Sequence, residues 1–119
     1  MTNQLQGEIL FKGLSPGNDE WVYTPWIEVL GDFATLAIEV TAISGVTLTW
    51  NVETRTAEDA TTVVDVLSNQ SANSVNVHWA NSTGKAKQWI RFKFATGGTA
   101  DLTKWVRVRA LMPSWQVNR

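Results

Sequence analysis

From Ala34 onward apolar and polar residues alternate with a period of two, the repeat of a strand that buries one of its faces. Ala34, Leu36, Ile38, Val40 and Ala42 alternate with Thr35, Ala37, Glu39 and Thr41; Val46, Leu48, Trp50 and Val52 alternate with Thr47, Thr49, Asn51 and Glu53. Both apolar rows are even-numbered, so a hairpin joining them needs an odd loop. Ile43-Ser44-Gly45 pairs Ala42 with Val46 and sets Gly45 where a left-handed residue is wanted, whereas a two-residue turn would send the rows to opposite faces. The outer row of threonines with Glu39 and Glu53 reads as solvated sheet.

The same period returns from Gln88 to Met112. Ile90, Phe92 and Phe94 share one parity, and Val106, Val108 and Ala110 share the same parity after the turn Thr96–Asp101. This stretch predicts a second hairpin, with Phe92 opposite Val106. Its outward face carries Trp89, Arg91 and Lys93 against Trp105, Arg107 and Arg109. In that register Trp89 meets Arg109 and Lys93 meets Trp105, two cation–π pairs around the like-charge pair Arg91 and Arg107. Tryptophan with arginine is the composition of an interface hot spot, so these six residues are the candidate interaction surface. The bland alternative is that the chain covers this face itself and that Glu39 or Glu53 neutralises it. If the face is open, reversing Arg91 and Arg107 to glutamate spares the fold and blocks association.

The remaining elements are shorter. Residues 1–20 mix Leu5, Ile9-Leu10-Phe11 and Leu14 with Gly7, Gly13, Pro16 and Gly17, and read as an N-terminal arm, or else an edge strand of the chain's own sheet. Trp21–Val29 predicts an edge or bulged strand because Pro25 interrupts it. Thr56 and Asp59 could cap a single helical turn. Thr62–Leu67 predicts a strand, Ser68–Ser74 a loop and Asn81–Lys87 a basic loop. Val75, Val77 and Trp79 share a parity that places Trp79 in the core with Trp50 and turns His78 outward. Pro113 ends the last strand. Seven or eight short strands and no helical period predict an all-β chain: an arm over residues 1–20 and an antiparallel β-sandwich over 21–119, jelly-roll connections being one way to join the strands.

Charge divides the chain. Residues 1–65 hold ten acidic and two basic side chains, residues 66–119 one acidic and eight basic, within a net charge of -1. Two arrangements account for it: acidic early strands beside basic late strands in one sheet, or two faces of opposite sign through which copies meet. There is no cysteine, which excludes disulfides, thiolate metal sites and a Cys nucleophile. The N-terminus lacks the basic and apolar regions of a signal peptide, and no stretch has the length of a membrane span, which predicts an intracellular or virion location.

Candidate chemistry is sparse. His78 is the single histidine and has only Asn76 near it in sequence; Glu58, Asp59 and Asp65 are too few and too spread for a calcium loop; Thr96-Gly97-Gly98-Thr99 lacks the lysine and helix of a phosphate loop. These absences predict a non-enzymatic protein with no metal and no cofactor. The runs Phe33–Arg55, Gln88–Phe94 and Trp105–Leu111 resemble small β-sandwich proteins of tailed-bacteriophage virions, and the likeness covers residues 21–112. Such proteins decorate or cement capsids or serve as accessory head and tail components. The resemblance implies a protein partner, either further copies in a homo-oligomer or a capsid or tail lattice, no membrane, and residence in the virion or in host cytoplasm before assembly. Two other readings of the tryptophans are a carbohydrate-binding module, disfavoured by the Arg and Lys flanking the indoles, and single-stranded nucleic-acid binding, disfavoured by a pI of 5.7.

Overall fold

The computed structural model describes residues 9–12 as backbone, and residues 21–58, 61–96 and 105–116 in full. Among these residues there are ten strand segments and no helix: β1 (Ile9–Lys12), β2 (Val22–Tyr23), β3 (Ile27–Glu28), β4 (Phe33–Ser44), β5 (Leu48–Arg55), β6 (Val64–Ala72), β7 (Asn76–Asn81), β8 (Trp89–Thr96), β9 (Trp105–Ala110) and β10 (Ser114–Gln116). All their pairings are antiparallel, in two sheets.

Register reduces ten segments to eight strands. Thr35 pairs with both Asn81 and Ser114, and Ile38 with both His78 and Ala110, so β9 and β10 flank β4 on one side and β7 on the other. β10 therefore continues β9 beyond Pro113, which interrupts that strand where the sequence predicted its end. β2 and β3 likewise lie in line along β8, interrupted at Thr24-Pro25-Trp26, as Pro25 predicts for an edge strand. Thr24 bridges the gap: its hydroxyl oxygen accepts from the Phe92 N–H, and its own N–H donates to the Phe92 carbonyl. Sheet I runs β1, β9/β10, β4, β7; sheet II runs β2/β3, β8, β5, β6. Successive strands alternate between the sheets, except that β5 and β6 pair directly within sheet II, which is the order of a jelly-roll sandwich.

The core lies between the sheets. Leu36, Ile38, Val40, Val106 and Val108 of sheet I face Leu48, Trp50, Val52, Ile90, Phe92 and Phe94 of sheet II, all buried. Trp50 and Phe92 stack with ring centroids 6.3 Å apart, and Phe92 and Phe94 at 6.4 Å. In a chain without disulfides, this burial, about 1.5–3 kcal/mol for each large apolar side chain, holds the sandwich together.

Both predicted hairpins are corrected. β4 and β5 lie in different sheets, as do β8 and β9; the chain crosses from sheet to sheet after Ser44. Equal parity fits both cases, because apolar rows that share a side in a hairpin can equally face each other across a sandwich. Gly45 is nevertheless left-handed, with φ 68°. A bulge between Val40 and Ala42 moves Ile43 to the inner parity opposite Val106 and Ala42 outward opposite Arg107. Ser68–Ala72, expected as loop, prolongs β6, which absorbs two register shifts against β5 and turns at Asn69 with φ 57°. The segment read as an arm supplies β1, an edge strand beside β9. The rest of that segment, the proposed cap at Asp59 and the Gly97-Gly98 turn lie outside the described residues.

Candidate interaction surface

The crossover separates the six residues predicted to form one face. Trp89, Arg91 and Lys93 lie on the outer face of sheet II; Trp105, Arg107 and Arg109 lie on the outer face of sheet I, across the thickness of the molecule. The expected contacts of Trp89 with Arg109, Arg91 with Arg107 and Lys93 with Trp105 therefore do not form.

On sheet II each cation is engaged by its own chain. Arg91 Nε donates to Glu53 Oε1 at 3.0 Å, and Lys93 Nζ lies 2.9 Å from Glu53 Oε2 and 4.0 Å from Asp65. The Arg91 guanidinium sits 3.9 Å from the Tyr23 ring centroid and 4.4 Å from that of Trp26; Arg55 packs at 4.6 Å on Trp26, and Lys93 at 4.6 Å on Trp21. The edge strand β2/β3 thus lays three aromatic rings over the basic row of β8, while β5 supplies the carboxylate. Glu53, read as part of a solvated row, is only 8% exposed. On sheet I, Arg109 Nε donates to Glu39 Oε1 at 2.7 Å. Acidic early strands therefore lie beside basic late strands within each sheet, the first of the two arrangements considered. Arg107 is exposed and Trp105 half-buried.

A different outer row carries open apolar surface. Trp79, predicted in the core, is 65% exposed, with Val77 at 46% and Val75 at 61%. The outward facing of Trp79 has a local cause at the end of β7. Buried Ser82 exchanges two hydrogen bonds with Ala34, N–H to carbonyl at 2.9 Å and Ala34 N–H to hydroxyl at 3.0 Å. This anchor sets Ala80 opposite Leu36 and His78 opposite Ile38, so the even residues of β7 face inward. Val77 and Trp79 then stand outward beside Glu39 and Ala37, and the small Ala37 leaves the indole uncovered. His78, expected outward, is half-buried and donates from Nε2 to the Ser74 carbonyl at 2.9 Å. No sequence signal announces this inversion, because the more apolar parity is the exposed one.

A cleft of about 240 Å³ lies at the β3 end of sheet II, lined by Glu28, Val29, Ala57, Lys87, Gln88 and Trp89. The Gln88 side-chain oxygen there accepts from the Ala57 N–H. No known protein family, curated protein or solved structure matches the chain.

Proposed function

We propose that this chain is a non-enzymatic assembly protein of the tailed-phage virion kind, a jelly-roll sandwich that joins its own copies or a capsid or tail lattice through the outer face of β7. The observation that carries the reading is the row Val75, Val77 and Trp79, three large apolar side chains exposed along one sheet edge. Contiguous apolar surface of this kind marks contact sites, and tryptophan is enriched among the residues that dominate interface energy. The earlier candidate cations support it less, since Arg91, Lys93 and Arg109 already have carboxylate partners.

The test is sedimentation of wild type and of Trp79→Ser with Val77→Ser over a concentration series. Removing two exposed side chains leaves the core intact, so the variant is expected to keep the wild-type melting temperature while its oligomer fraction falls at least tenfold. Equal association of the two proteins removes the row from the interface.

A second reading, glycan binding, is favoured by the cleft, where Trp89 offers a ring to stack on a sugar and Glu28 and Lys87 offer hydrogen bonds. Tryptophan emission that oligosaccharides leave unmoved, in wild type and Trp89→Ala alike, disposes of it.

A further inference from the structure

We propose that the occupant of this surface is a second copy of the chain, paired antiparallel through β7 about a two-fold axis at His78, so that two copies of sheet I become one continuous sheet. The proposal rests on reading the Val75–Trp79 row as an assembly surface, and adds partner, register and symmetry.

The Ser82 N–H donates to Ala34, and the same register pairs Ala80 with Leu36, His78 with Ile38 and Asn76 with Val40. In an antiparallel ladder, hydrogen-bonded pairs alternate with non-bonded ones. The even residues of β7 therefore bond to β4, and the N–H and C=O groups of Val77 and Trp79 point to the open edge, which no strand among the described residues occupies. The Val77 N–H is met only by the side-chain oxygen of its neighbour Asn76, at 2.9 Å, a stand-in for the carbonyl of another strand.

The edge is also undefended. Exposed edges are normally blunted by lysine, proline or a bulge. Asn76–Asn81 contains no charged residue and no proline, and its register against β4 is unbroken. Charge selects the partner: a two-fold contact opposes each strand to itself, so a charged edge would repel its copy, while this one meets it without like-charge opposition. The nearest charge on the outer row, Glu39, is already paired with Arg109.

Parity then limits the register. Opposed residues must both be odd or both even, so the two pairings nearest the strand's middle set His78 against His78 or Trp79 against Trp79 of the second copy; the latter opposes Val77 to the polar Asn81, so the apolar row selects His78. Val77 then faces Trp79 of the other copy, and Trp79 faces Val77. Both are hydrogen-bonded pairs that place a β-branched side chain beside an indole on the outer face. His78 faces its counterpart as a non-bonded pair, with Cα atoms about 4.5 Å apart, within the range of about 4.4–6.8 Å that a disulfide spans.

Because the chain contains no cysteine, single cysteines report this register without background. His78→Cys, Asn76→Cys and Ala80→Cys are oxidised mildly and run on non-reducing gels, with wild type sized in parallel. His78→Cys is expected to shift from monomer to covalent dimer. Asn76→Cys and Ala80→Cys, each about 13 Å from its own counterpart at about 3.3 Å per residue, stay monomeric alone and cross-link when mixed. The mixed pair keeps the test valid if loss of the His78 contact to Ser74 disturbs folding. Wild type that associates while neither His78→Cys nor the mixture cross-links overturns edge pairing and leaves the assembly reading standing. Wild type that remains monomeric, with no cross-link at any site, overturns pairing through a second copy, and docking on a lattice is then all that remains of the assembly reading.

Discussion

Glu53 is the residue on which the outer face of sheet II depends. Its carboxylate, almost buried, receives both Arg91 and Lys93, and the rings of Tyr23, Trp26 and Trp21 close over those cations. Removing one member of a buried ion pair costs more than the pair contributes, because a desolvated charge is left behind. Glu53→Ala is therefore expected to lower stability by about 3 kcal/mol, at the low end for a buried pair since Arg91 retains some solvent. Urea denaturation measures it, and a loss near zero would mean that the aromatic rings alone satisfy both cations. Arg91→Glu, which places a second carboxylate against Glu53, should destabilise far more than Arg107→Glu on the exposed part of sheet I. The sequence expectation that reversing both residues spares the fold thus fails for Arg91. Trp50 was legible as core and Trp79 was not, for one reason: a long strand between two others inherits its facing from its own pattern, whereas a short edge strand takes it from an end anchor, here Ser82 on Ala34.

At the level of elements, the strands were legible and their partners were not. Alternation located β4, β5, β8 and β9, and Pro25 marked the interruption between β2 and β3. Pairing escaped because inward rows fix which side a strand buries and say nothing about which sheet it joins. Two glycines carry the junctions. Gly45, left-handed as the sequence required, begins the crossing from β4 to β5, and Gly45→Val is expected to cost about 1 kcal/mol or more for the wrong-handed backbone. Gly31, unremarked in the sequence, precedes β4 where the chain passes β10; a Cβ there would come within 2.7 Å of the Gln116 carbonyl oxygen. That neighbour is backbone and is held by the Asp32 N–H at 2.9 Å. Gly31→Ala should therefore cost about 1–3 kcal/mol, as overpacking does, and loosen β10 from β4. Thermal unfolding of both variants checks the pair; an unchanged midpoint for Gly31→Ala would show that β10 moves freely aside.

At the scale of the molecule, the division of charge along the sequence is offset within each sheet among the described residues. Glu39 lies beside Arg109, and Glu53 beside Arg91 and Lys93, so neither sheet presents the sign of one half of the chain. A head-to-tail contact between an acidic and a basic face loses its basis, and contact through uncharged β7 should respond weakly to salt. Sedimentation at low and high ionic strength is expected to give the same oligomer fraction within twofold, while steep dissociation by salt would return the interface to the charged rows. The strand order also has a consequence in time. β4 with β7 and β5 with β6 draw on residues 33–81 and can pair while the chain is still being made, but β8 and β9 fill the gaps beside β5 and β4 only when residues 89–110 arrive. Until then β4 and β5 each keep a raw flank open, alongside the unguarded flank of β7. Such long-range closure is slow, and neighbouring nascent chains compete for the same positions. The open edge proposed to join finished copies makes crowding on a polysome the dangerous interval of the chain's life.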